Sequence, residues 1–423
     1  MTLRDDFAFR GLVHQVSDEA LWGHLNAGSA TAYAGFDPTA DSLHLGHLLQ
    51  ILNLRRLQLA GNKPIVLAGG GTGLIGDPSF KSTERPLLTG EQIAENLIGV
   101  REQLGRFLDF SPGASQARLL DNADWLTTVP LTDFLRDVGK YFTVNQMIAR
   151  DSVRTRLETP DMALSFTEFS YILLQSYDFL RLHVDHGCTV QLGGSDQWVN
   201  ILGGVDLIKR TTGNRAFALT SPLLVRSDGQ KYGKSEGGND RVWLDATKTS
   251  PFALHQFLLN SEDAMVPTLL RFFTFLGHDE IRDVDDAVIS RPAERHGQRV
   301  LANEVVALVH GAEAAQKAER AGAALFSEAI AELDEATLLD VLADAPHETI
   351  ARAAVAEGLD PVDLLVLCGL ASSKGEARRF VDQGGVYVNN RKVDTTISLH
   401  DVLHGRYLVV RRGKRATCLA VLA

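Results

Sequence analysis

The first half of the chain alternates short apolar runs with longer helix-patterned segments, and this order constrains the fold more than any other feature. Thr31 to Phe36 and Pro64 to Ala68 have strand length, whereas Leu43 to Ala60 and Glu91 to Phe107 carry apolar residues at helical spacing. Parallel strands need a crossover that returns the chain to the same end of the sheet, so this order predicts an α/β domain with a helix-covered parallel sheet. Ala117 to Leu120 and Thr189 to Leu192 read as further strands, with a long helix between them from Ser165 to Leu182. After about Ser250 the pattern becomes helical, from Pro251 through the Ala-rich segment Gly311 to Phe326. Glu328 to Asp360 is acidic and less patterned, and the tail predicts two short helices and several strands. Its hairpin turns are expected at Asn389-Asn390 and Arg412-Gly413-Lys414. The expected divisions are 1–250, a helical 251–345, a linker at 346–360 and a small α+β module at 361–423.

A chain of 423 residues, 45% hydrophobic, can bury a sizeable core and should divide into two to four domains. No apolar stretch approaches the roughly 20 residues that span a bilayer. The first ten residues mix Arg4, Asp5, Asp6 and Arg10 with single apolar side chains, unlike a secretory leader. Cys188, Cys368 and Cys418 are too scattered for a disulfide framework or a zinc cage. A cytoplasmic protein is expected, with no membrane partner. The net charge of −11 argues against nucleic acid, yet residues 361–423 hold ten Lys and Arg against five Asp and Glu. A basic module joined to an acidic body suits RNA.

Two motifs carry chemistry. Gly35-Phe-Asp-Pro-Thr-Ala-Asp-Ser-Leu-His-Leu-Gly-His47 leaves the first strand and opens the first long helix, with Asp41 or Ser42 as the expected cap. Helix N-termini favour anions, because free N–H groups and the macrodipole point at the ligand. His44 and His47 share one helix face, and Gly46 between them leaves room for a flat base. An isolated His-x-Gly-His is more often an ordinary helix start, and no third ligand suggests a metal. Far downstream, Lys231-Tyr-Gly-Lys-Ser235 lies in a Gly-, Ser- and charge-rich loop that could close over phosphates. In the helix from Phe166, residues Tyr171, Gln175 and Asp178 stand at i, i+4 and i+7 among Phe, Ile and Leu. A buried polar row of that kind needs a hydrogen-bonding ligand. Gly71-Thr-Gly-Leu-Ile-Gly76 matches a dinucleotide fingerprint formally, but Asp77-Pro78 follows it and the first strand and helix carry another motif. Its glycines are read as letting the chain pass close to substrate.

Together the His-x-Gly-His and Lys-rich motifs resemble the paired signatures of class I aminoacyl-tRNA synthetases, with Leu45, Tyr232 and Gly233 as departures. Thr72-Gly-Leu-Ile-Gly-Asp-Pro78, Phe166-Thr-Glu-Phe-Ser-Tyr171 and Gly193-Gly-Ser-Asp-Gln-Trp198 extend the resemblance to the bacterial tyrosyl branch. It implies a Rossmann-like catalytic domain, an anticodon-side helical domain and an S4-like RNA-binding domain. It also implies L-tyrosine, ATP with Mg2+ and tRNA(Tyr) as partners, and a homodimer with one RNA reaching across both subunits. Tyr33 and Asp178 would meet the phenol, Asp77, Tyr171 and Gln175 the ammonium group, and Gln197 the carboxylate. Gly35, Asp37, Gly46 and Asp196 would line the nucleotide, while Thr39, His44 and His47 would contact phosphate and ribose. Lys81, Arg85, Lys231 and Lys234 would close from loops, with Ser235 a weaker member. Ala34 stands where some relatives have a cysteine touching the ribose. In the tail, Lys374, Arg378, Arg379, Arg411 and Arg412 are the expected RNA contacts. Two other readings are weaker: an RNA-binding protein with an inactive synthetase-like body, against which every catalytic-looking position holds competent chemistry, and a related nucleotidylyltransferase, against which the Lys231 to Ser235 loop and the basic tail count.

Overall fold

The computed structural model describes residues 2–76, 88–148, 153–154, 159, 165–225, 232, 241–343, 345–393, 395–413 and 416–423. They fall into two units, Met1–Thr249 with Ser261–Leu301, and Ser250–Asn260 with Ala302–Ala423.

The first unit is built on strands β1 (Gln15–Val16), β2 (Thr31–Phe36), β3 (Lys63–Ala68), β4 (Arg118–Asp121), β5 (Cys188–Gly194) and β6 (Phe217–Ser221), in the order β1-β6-β5-β2-β3-β4. Every pairing is parallel except β1 with β6. Ala32, Tyr33 and Ala34, like Ile65, Val66 and Leu67, are buried on successive positions, as strands covered on both faces must be. The helix Leu45–Leu59 is buried almost all round, which explains why its apolar pattern is broad rather than a stripe. From β2 the sheet grows one way through β3 and β4 and the other way through β5 and β6. That reversal leaves a crevice at the carboxyl ends of β2 and β5, where open α/β sheets bind ligands.

Helix Phe166–His186 begins with a reciprocal capping box between Ser165 and Glu168 and runs one turn past the expected Leu182. It stops at Gly187, whose φ of +63° turns the chain directly into β5.

In the second unit, β7 (His347–Ile350), β8 (Val386–Val388), β9 (Arg391–Lys392), β10 (Tyr407–Arg412) and β11 (Ala416–Leu422) form a sheet ordered β7-β11-β10-β8-β9. Asn389 and Asn390, at φ of 50° and 61°, make the predicted tight turn between β8 and β9. Gly413, at φ of 61°, lies in the turn joining β10 to β11. Residues 346–360, expected as a linker, instead supply β7, which pairs in parallel with β11, and the short helix Arg352–Ala356. Just before them Ile330, Leu338 and Leu342 share a core with Tyr407, Val409 and Leu419. The acidic composition of 328–360 belongs to the solvent face of a packed segment, not to a tether.

Candidate active site

The carboxyl ends of β2 and β5 open into a cleft of about 640 Å³, within the size range of small-molecule sites. Gly35, Asp37, Thr39, His44, Gly46 and His47 line it from the β2 side, and Asp196 and Gln197 from the turn after β5. Tyr33, Tyr171, Gln175 and Asp178 form its floor. The sheet therefore gathers the sequence-predicted residues that fall within the described positions of this unit. Asp77, Lys81, Arg85, Lys231, Lys234 and Ser235 lie outside the described residues.

The first long helix is capped by His44, not by Asp41 or Ser42. His44 Nδ1 accepts from the Gly46 N–H at 3.1 Å, and His47 Nδ1 accepts in return from the His44 N–H at 3.4 Å. Ser42 is buried and donates to the Leu43 carbonyl at 2.8 Å, while Asp41 pairs with Lys248 at 2.9 Å. The imidazoles stack with centroids 3.7 Å apart. A Cβ at Gly46 would lie 2.9 Å from the His44 ring, so glycine makes room for that ring.

At the floor, one hydrogen-bonded chain orders the polar groups. Tyr171 donates to Asp37 at 3.1 Å, and Thr72 donates to the other Asp37 oxygen at 2.8 Å. Asn122 donates to Thr72 at 3.0 Å and to Asp178 at 2.9 Å, and Trp125 Nε1 donates to Asp178 at 2.7 Å. Asp178 is 2% exposed, and burial pushes its carboxyl up to about 8 although both donors pull it down. Burial, with the nearby Asp178, also raises the Tyr33 phenol well above its ordinary range. Among the described residues, Tyr33 Oη, Gln175 Oε1 and Gln191 Oε1 are buried here with no hydrogen-bond partner. Unmet polar atoms in one cleft are costly unless a ligand completes them.

Sequence reasoning passed over Asn122, Trp125, Thr72 and Gln191. Gln191 had a signal, as a polar residue amid the buried run of β5. Asn122 and Trp125 directly follow β4, at the end of the sheet where ligands bind. Gly71 and Gly73 adjoin Leu126 and Ile93 instead of lining the cleft, whereas Gly69 lines it against Asp37 and Thr72.

Two described residues in or near the Lys-rich motif meet the same cleft. Tyr232 lines it, 9% exposed, with its hydroxyl 2.8 Å from Ser261. Arg241 lines it as well, and the chain beyond pairs antiparallel with the helix entry, Leu45 N–H to Val242 and Leu244 N–H to Leu43, each at 2.9 Å.

In the second unit, Lys374, Arg378 and Arg379 are exposed on helix Lys374–Asp382, with Lys374 paired to Asp363 at 2.6 Å. Arg411 is 8% exposed, donates to Asn390 at 2.7 Å and lies over the Phe326 ring. Arg412 pairs with Glu376 at 3.4 Å. The structure thus commits Arg411 to packing, on the face of β10 that carries the buried Tyr407 and Val409.

Residues 25–327 match the family described as tRNA synthetases class I (W and Y). Residues 338–420 match the tyrosine–tRNA ligase SYY-like C-terminal domain. The chain is 48% identical over 418 residues to the tyrosine–tRNA ligase of Roseiflexus castenholzii, covering 98% of each. It is 47% identical over 422 residues to that of Geobacillus stearothermophilus, again covering 98% of each. A C-terminally truncated mitochondrial tyrosyl-tRNA synthetase of Aspergillus nidulans aligns with a TM-score of 0.69 at 31% identity, covering 77% of this chain and 94% of its own. The chain belongs to the tyrosine–tRNA ligases.

Proposed function

We propose that the cleft activates L-tyrosine with ATP and that the enzyme then passes the tyrosyl group to tRNA(Tyr). The observation that carries the residue assignments is the set of unpartnered polar atoms, Tyr33 Oη, Gln175 Oε1 and Gln191 Oε1, gathered around Asp178. Tyr33 and Asp178 take the substrate hydroxyl. Tyr171 and Gln175, with Asp77, hold the ammonium group, and Gln197 orients the carboxylate. Phenylalanine would leave Tyr33 and Asp178 unmet; the discrimination of about 10⁵ on record for tyrosyl-tRNA synthetases is the known scale of that effect, not one derived from this cleft.

The substrate carboxylate is already ionised at neutral pH, so its oxygen attacks the α-phosphorus without a general base. As that P–O bond forms, the bond to the β-phosphate oxygen breaks, and pyrophosphate leaves with the electron pair. Catalysis reduces to alignment and to stabilising charge on the leaving group. Thr39 and His44 serve the phosphate end, His47 and Asp196 the ribose, and Lys81, Arg85, Lys231, Lys234 and Ser235 join from their loops. Magnesium enters as part of the substrate, MgATP.

For the RNA step, the proposed contact face of an S4-like module centres on Lys374, Arg378 and Arg379, with Arg412 at its edge. A homodimer is also proposed. Leu131, Leu135, Val144 and Phe166 are exposed on elements whose inner faces share the core of Phe134, Met147, Ile172 and Leu173, and a second copy would cover them. No helix among the described residues is long and apolar enough to cross a membrane, and a cytoplasmic enzyme fits. Exchange of pyrophosphate into ATP, measured with each amino acid in turn, tests the specificity. Tyrosine alone should support it; exchange with tryptophan in its place would overturn the assignment.

A further inference from the structure

The described lining of the cleft is short of cations. Asp37, Asp178 and Asp196 line it, and among its described lining residues Arg241 is the one Lys or Arg. A triphosphate brought beside the Asp37 and Asp196 carboxylates requires cations close by, because like charges in a partly desolvated cleft repel strongly.

Arg241 is fixed beside the phosphate-binding helix start by local pairing. Trp243 pairs antiparallel with His44, and their rings meet edge-on at 6.2 Å. Val242 and Leu244 are buried at 5% and 0%, so Arg241 and Trp243 share the opposite face, toward His44. The guanidinium carbon sits 5.7 Å from the Trp243 ring centroid, a stacking contact that braces the planar group of arginine.

We propose that Arg241 is a fixed phosphate-binding residue of the activation step, gripping the pyrophosphate end of ATP beside His44. The proposal rests on the cleft being the ATP site. It adds to the loop lysines a cation anchored on the strand that pairs with the helix entry. Its fork can bind two phosphate oxygens at once, as an ammonium cannot.

The test uses the full-length enzyme with Arg241→Gln and Arg241→Lys. In pyrophosphate exchange, Arg241→Gln should lower kcat/KM for ATP by about 10- to 100-fold, the worth of a charge-assisted contact. Pyrophosphorolysis of bound tyrosyl-adenylate should show a similar loss in apparent affinity for pyrophosphate. Inhibition by adenosine, which has no phosphate, and the Kd for tyrosine should stay within twofold, and Arg241→Lys should recover part of the loss. Parallel weakening of adenosine and pyrophosphate would overturn the proposal, reducing Arg241 to a prop for Trp243 and His44. Unchanged pyrophosphate kinetics would overturn it too. Absence of exchange in the unmodified enzyme would instead refute the ATP site itself.

Discussion

Asp178 is a carboxyl almost without water, held by Asn122 and Trp125 and pushed up to about 8 by burial. Unfolded, the same group titrates near 3.9. Between those values the folded form binds the extra proton, so this residue's contribution to stability is present below about pH 4 and is lost as pH rises toward 8. In the ligand-free enzyme, Asp178→Asn should flatten the fall in melting temperature over that window, by up to about 1.4 kcal/mol per pH unit. Thermal melts from pH 5 to 8.5 would check it, and parallel curves for the two proteins would refute the burial argument. The same variant should lose tyrosine binding, since an amide cannot replace a carboxylate as acceptor at both oxygens. At this scale the sequence was informative where the site is local. The spacing of Tyr171, Gln175 and Asp178 exposes their shared face without any fold. Asn122 and Trp125 were hidden because they come more than fifty residues earlier in the chain and reach Asp178 only through the sheet.

The elements most legible in advance were those with their own punctuation. Ser165 with Glu168 marks the start of a long helix, whose stop at Gly187 falls one turn past the expected Leu182, and the Asn389-Asn390 turn announces its hairpin. β1 spans only Gln15–Val16, and β7 buries one residue of four, so neither carries a periodic pattern to read. The helix cap at His44 was misread because serine and aspartate are the usual caps, whereas here those two side chains are engaged elsewhere. Helix Phe166–His186 also supports a prediction. Phe166 is 78% exposed, so Phe166→Asp should change the stability of the single chain by no more than about 0.5 kcal/mol. If its face meets a second copy, the burial of an unpaired carboxylate there should weaken dimerisation at least about a hundredfold. Sedimentation equilibrium across concentration reads this directly; an unchanged association constant would move the dimer contact elsewhere.

For the whole molecule, the informative question is where the chain can be cut. Composition suggested a boundary near Asp360, but β7 and the core around Ile330, Leu338 and Leu342 depend on β10 and β11. A protein ending at Asp360 would uncover that core, whereas one ending at Phe326 removes it together with its cover. The shorter protein should therefore keep tyrosine-dependent pyrophosphate exchange and lose charging of RNA, while the Asp360 form should melt lower or aggregate. Full charging by the Phe326 form would strip the basic module of its proposed role, and an Asp360 form as stable as the intact chain would contradict the packing.

Asn390, at the tip of the hairpin between β8 and β9, donates to the carbonyls of Leu325 at 3.0 Å and Ser327 at 2.8 Å, just past helix Ala312–Ala324. Arg411 secures the same asparagine from β10. A latch of this kind ties the sheet to the end of that helix. A pull on the sheet would reach the end of that helix through these hydrogen bonds.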